Sequence, residues 1–112
     1  MDRATALAAL VRMEGPVADA SARLQSFPWD SDAALVTVTP GDFARALRRY
    51  SLGEISAAEV ESWANALESR DDLRVAPGLL SDLLHELANP LLTEPLSKSR
   101  ANHWLTKLAH AN

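Results

Sequence analysis

Three histidines, His85, His103 and His110, are the side chains best suited to ligate a metal or carry a proton, and none has a partner at a useful spacing. A zinc site on helices presents ligands at i and i+4 or gathers cysteines. This chain has no cysteine, and Lys107 lies between His103 and His110, where it repels a cation. His85 and Glu86 are adjacent, so on a helix they point in diverging directions and form no acid–base pair. Asp30, Asp32 and Asp42 suggest a calcium loop, but that loop needs further oxygen ligands, a glycine and a bidentate glutamate at fixed offsets. Ala33 and Ala34 stand where those ligands should begin. Helix capping and loop solvation are the expected roles of these aspartates.

Nucleophilic and phosphate chemistry find no framework either. No serine stands in a nucleophile-elbow context. Gly15, Gly41, Gly53 and Gly78 are too scattered to build a phosphate cradle. An enzyme would need a site assembled from separated residues such as Asp82, His85 and Glu86. No catalytic residue, metal ligand or cofactor is assigned, and the chain is read as a non-enzyme.

The charged residues offer recognition instead. Arg45, Arg48 and Arg49 precede a stretch carrying Glu59, Glu61 and Glu68, followed by Arg70, Asp71 and Asp72. Paired within the molecule on a solvated face, such charges contribute about 0–1 kcal/mol each. Turned outward, arginine with an exposed aromatic (Tyr50 or Trp29) would anchor a partner. The candidate partner-binding set is Arg45, Arg48, Arg49, Tyr50, Glu59 and Glu61. Net charge is −4, which disfavours general nucleic-acid binding and suits a basic protein partner.

Positioning these residues falls to helices. With 112 residues, 47% hydrophobic and 23% charged, the chain has the balance of one globular domain spanning 1–112. Leu7, Leu10 and Val11 recur at helical spacing, and Val17, Ala20, Leu24 and Phe27 resume the stripe beyond Gly15-Pro16. One kinked helix or two helices over 3–26 fit this pattern equally. The N-terminal stretch is too short and too charged for a signal peptide or membrane span, so a cytoplasmic location is expected.

Residues 27–39 are the least helical part. Leu35-Val36-Thr37-Val38-Thr39 is β-branched but has no evident second strand, so a long connection laying Trp29 and Leu35 on the core is expected. Thr39, Pro40 and Asp42 punctuate the start of the next helix, with Phe43, Leu47 and Tyr50 as its apolar stripe and Gly53 as its left-handed end. Ser56-Ala57-Ala58-Glu59 is a capping box opening a helix to about Glu68, lined by Val60, Trp63, Ala64 and Leu67. The short connection makes these two helices an antiparallel hairpin.

A polar loop, SRDDLRVAPG, leads to Pro77 as a first-turn proline. Leu79, Leu80, Leu83, Leu84, Leu87 and Ala88 then cover half a helical wheel, the pattern of a central helix, ended by Asn89-Pro90. A last helix capped by Ser97 turns Ala101, Trp104, Leu105 and Leu108 inward. The expected fold is all-α, a compact bundle of about four to six short helices around the central hairpin.

The run from Leu47 through Arg48, Arg49, Tyr50, Ser51, Leu52, Gly53, Glu54, Ile55, Ser56, Ala57, Ala58, Glu59 and Val60 to Glu61 resembles the helix–glycine–capping-box–helix pattern of small uncharacterised bacterial helical proteins. Over residues 43–72 it also loosely resembles colicin-type immunity proteins. That likeness implies an acidic helical bundle that plugs the basic active site of a nuclease toxin, and it carries over no individual binding residue. The leading expectation is therefore a protein-binding module acting by stoichiometric contact, with an antitoxin-like role as one form. A self-associating homodimer is the alternative, motivated by the leucine-rich 79–88 helix. A small apolar pocket between helices stays open as a third.

Overall fold

The computed structural model describes residues 3–13, 19, 20, 22, 36–68, 70 and 73–110. Among these lie five helices and two short strands: α1 (Arg3–Val11), β1 (Val36–Val38), α2 (Pro40–Ser51), α3 (Ala57–Glu68), β2 (Leu73–Val75), α4 (Leu79–Ala88) and α5 (Lys98–His110). No described helix is long and apolar enough to cross a membrane.

Local chemistry sets most helix ends. The Thr39 hydroxyl accepts from the Asp42 amide at 3.3 Å, and the Asp42 carboxylate accepts from the Thr39 amide at 2.9 Å. This reciprocal cap satisfies two otherwise orphaned donors at the start of α2. Gly53, at φ 79°, turns the chain after α2, a conformation that strains any residue with a Cβ. Ser56 and Glu59 repeat the box at α3, each side chain 3.1 Å from the other's amide. The Ser97 hydroxyl receives the Arg100 amide at 3.2 Å and starts α5.

The core draws on every helix. Leu7, Leu10 and Val11 of α1 meet Phe43 and Leu47 of α2, Val60, Trp63 and Leu67 of α3, Leu83 of α4, and Leu108 of α5, all essentially inaccessible to solvent. Trp63 is the centrepiece. Its ring meets Phe43 edge-on at 5.6 Å, and its Nε1 donates to the Leu10 carbonyl at 2.9 Å, so a buried polar hydrogen is satisfied. The broadest helix contacts are α3 on α4 and α2 on α5, with a smaller α2–α3 contact across the Gly53 turn.

The expectation of an all-α fold needs one correction. β1 and β2 form a parallel two-stranded sheet in which Val36, Thr37 and Val38 face Leu73, Arg74 and Val75. Parallel strands need a long crossover, and α2 with α3 supplies it. Val38 and Leu73 are buried while Thr37 and Arg74 are exposed, the alternation of a sheet with one face on the core. The β-branched run thus has a partner, inside the stretch expected to be a plain polar loop. A second correction concerns Pro77, which precedes the N-cap Gly78 (φ 92°) and does not occupy the first turn of α4.

α1 ends at Val11, with Met13 in the left-handed region at φ 52°. The Gly15-Pro16 break, Asp30, Asp32 and the packing of Val17, Leu24, Phe27, Trp29 and Leu35 lie outside the described residues.

Candidate functional site: an apolar cleft beside a buried carboxylate

Three segments meet at the cleft: the first turn of α3, the last turn of α4, and residues 89–97 joining α4 to α5. The α3 cap directs Ala57, Ala58 and Glu61 outward while Val60 forms part of the floor. Opposite them stand Glu86, Leu87, Pro90, Leu91, Pro95 and Leu96. The cleft, open to solvent on one side, has a volume of about 270 Å³. Leu91 is 98% exposed and Leu92 80%, which leaves two adjacent large apolar side chains in water.

Segment 89–97 is tied at both ends. The Asn89 side chain donates to the His85 carbonyl at 2.9 Å, and the Thr93 hydroxyl donates to the Asn89 carbonyl at 2.8 Å. The Tyr50 hydroxyl reaches the Leu96 carbonyl at 3.5 Å, and Arg100 pairs with Glu94 at 3.1 Å. Proline at 90 and 95 further restricts the backbone.

On the cleft wall itself, at Glu86, begins the strongest polar network of the described residues. The Glu86 carboxylate accepts from Arg100 at 2.7 and 3.2 Å and from the Trp104 indole at 2.7 Å. Its side chain is only 13% exposed. Burial pushes this carboxyl upward, but the Arg100 and Trp104 hydrogen bonds, helped by the positive charges of Arg100 and His103, outweigh that and hold it below its ordinary value. The bond from Glu86 raises the Arg100 guanidinium in turn, against the effect of desolvation, with the Glu86 and Glu94 charges adding to it. Arg100 and Lys107 also sit near the Trp104 ring, 5.7 and 5.3 Å from its centroid. Glu86 is thus a spent charge that fastens α5 to α4.

A second, more open basin of about 510 Å³ lies between the ends of α3, β2 and the start of α4. Here the His85 Nδ1 is 3.5 Å from a Glu68 carboxylate oxygen, and Ser81 lines the same basin one turn earlier on α4. A hydroxyl, an imidazole and a carboxylate in this order invite a hydrolytic reading. The Asn89 amide competes for both Glu68 and His85 at 3.3 Å, and Ser81 makes no hydrogen bond to His85. Asp82 lines this basin too, whereas Glu86 faces the other way, so the scattered set Asp82, His85 and Glu86 is not brought together. Among the described residues no three potential ligands converge on a metal position.

The six charged or aromatic candidates go to different places. Arg45 is exposed, 3.9 Å from Asp42, and Arg48 is exposed. Arg49 turns inward, donating to the Met13 carbonyl at 3.0 Å and approaching Glu54 at 3.5 Å. Tyr50 braces Leu96 and Glu59 is held by the α3 cap, which leaves Glu61 as the one candidate lining the cleft. The arginines of α2 and the glutamates of α3 form no ion pairs with each other.

Sequence reasoning missed the apolar wall. Its signal was the run NPLLTEPL, two leucines between prolines too close together to admit a helix. Comparison with protein-family models, curated proteins and solved structures finds no match to this chain.

Proposed function

We propose that this chain is a small, acidic helical-bundle protein of the cytoplasm that acts by stoichiometric contact with a protein partner, using the cleft between α3 and residues 89–97. The observation that carries this function is the exposed Leu91 on the rim of an apolar cleft, held open by a pinned loop. Adjacent exposed leucines are costly in water unless they meet something, and apolar pockets with a polar rim are where interface anchors dock. The excess of acid suits a basic partner, and immunity-like neutralisation of a basic toxin is one form such binding would take.

The test is capture from native lysate at low salt by the tagged protein, beside two variants, Ala58→Trp and Leu91→Asp. Both sites are exposed, so both variants should keep the parent helix content and unfolding midpoint. A basic partner retained in equal proportion by the parent and lost by both variants supports the assignment. Its retention by both overturns it. Leu52, Leu91 and Leu92 favour one second function, a homodimer. Light scattering that returns twice the chain mass, abolished by Leu91→Asp, would put that function first.

A further inference from the structure

The cleft's chemistry specifies what fills it. Its volume of about 270 Å³ lies just under the usual range for small-molecule sites, roughly 300–1,000 Å³, and suits one or two side chains of a larger partner. Its walls are a helix start, a helix end and a loop bounded by prolines, and neither β1 nor β2 borders it. A partner strand therefore has no sheet edge to extend, and Pro90 and Pro95 offer no amide hydrogens. The described lining holds no aromatic ring for a polyproline segment to pack on, which leaves binding through side chains in the mode of an amphipathic helix laid into a groove.

Charge sharpens the match. Glu86 and Glu94 are committed to Arg100, and Glu59 to the α3 cap. Glu61 stands on the wall of the same cleft with no hydrogen bond or ion pair to any described residue. A carboxylate with no partner among the described residues, at the edge of an apolar pocket, selects a cation beside an apolar anchor.

We propose that the occupant is an amphipathic helix of a partner protein, which buries an aliphatic or aromatic side chain against Val60, Leu87 and Leu91 and sets an arginine or lysine on the same face against Glu61. This rests on the cleft being a protein-binding site. It adds the secondary structure of the occupant and the sign of the charge beside its anchor.

Two synthetic peptides of about 18 residues, long enough to hold a helix, serve as probes. They share one leucine stripe and differ only in flanking residues, arginine in one and glutamate in the other. Each is titrated into the full isotope-labelled chain and followed by amide NMR shifts. The arginine peptide should move the signals of Ala58, Glu61 and Leu91, and should bind more tightly than the glutamate peptide. Glu61→Gln should weaken it about two- to fivefold, the range of a rim ion pair. Asp82→Asn removes the same charge from the other basin and should leave affinity unchanged.

Equal binding of the two peptides in the cleft overturns the cation match while leaving the cleft a binding site. Equal weakening by Glu61→Gln and Asp82→Asn overturns it also, since net charge alone would then account for the attraction. Cleft signals untouched by either peptide overturn the helix itself, and the lysate capture with Ala58→Trp decides separately whether the cleft binds protein at all.

Discussion

Replacing Glu86 with glutamine keeps the shape of the side chain and removes its charge, and so measures what the Glu86–Arg100–Trp104 network contributes. Glu86 accepts three hydrogen bonds, two of them at 2.7 Å. A bond to a charged group contributes about 1.5–3 kcal/mol and a neutral one about 0.5–1.5. Glutamine offers a single neutral acceptor oxygen, and its amide hydrogens oppose those of Arg100. Arg100 keeps Glu94 at 3.1 Å, and its side chain is partly exposed, both of which soften the loss. A net cost of about 2 kcal/mol follows, which for a domain of this length lowers Tm by roughly 6–12 °C. The assay is urea unfolding followed by circular dichroism, repeated down the acid limb. Because the folded carboxyl lies below its ordinary value of 4.5, its contribution is complete above that pH and is lost as pH falls through the folded value. Parent and variant should therefore differ most near neutrality and converge in acid. A cost under about 0.5 kcal/mol, the scale of an ordinary surface change, with parallel acid limbs would refute the reasoning.

Three further substitutions probe the elements that frame the site. Gly53→Ala meets no atom within 4 Å yet forces a Cβ into φ 79°, so unfolding should cost about 1–2 kcal/mol less than in the parent, measured by urea titration. Ser56→Ala removes the hydroxyl that receives the Glu59 amide, and about 1 kcal/mol of stability should go with it, again from urea midpoints. Trp63→Phe removes the indole donor from the Leu10 carbonyl, which keeps the Met13 amide at 3.1 Å, and opens a small void in the centre of the core. The expected loss is about 1–3 kcal/mol by thermal unfolding, and native-like stability would mean that the core closes over the void and the Met13 amide suffices for the carbonyl.

What could be read from the sequence was what neighbouring residues decide among themselves. The caps at Thr39, Ser56 and Ser97, the turn at Gly53, the end of α4 at Asn89 and the inward faces of α2 to α5 all follow from side chains within one or two helical turns. The β1–β2 pair escaped because each strand is only three residues long and its partner lies beyond α2 and α3. Ion pairing between α2 and α3 looked plausible from charge order alone. It does not form, because each group has a nearer commitment or another direction: Arg49 to the Met13 carbonyl, Glu59 to its own cap, Glu61 to the cleft. Adjacent positions on a helix make Glu86 diverge from His85. The divergence is real, and it is what delivers the carboxylate to Arg100 and Trp104 on α5. The cleft was illegible for the same reason as the sheet, being made where three separate segments meet.

The open state of that cleft is itself informative. Burying Leu91 would stabilise the chain by about 1.5–3 kcal/mol, yet residues 89–97 do not fold over to do so. Collapse would have to undo the turn at Asn89–Thr93, the Tyr50–Leu96 contact and the Arg100–Glu94 pair, while Pro90 and Pro95 limit the backbone paths available. Arg100 is the shared element, holding Glu86 on the wall and Glu94 on the loop with one guanidinium. The network that secures α5 therefore also keeps the apolar surface presented to solvent. Glu86→Gln should accordingly weaken binding of the arginine and glutamate peptides by a similar factor as well as the fold, because the Glu86 carboxylate on the cleft wall is already held by Arg100 and Trp104. If affinity holds while stability falls, the wall is kept open by the Asn89–Thr93 turn and the prolines alone.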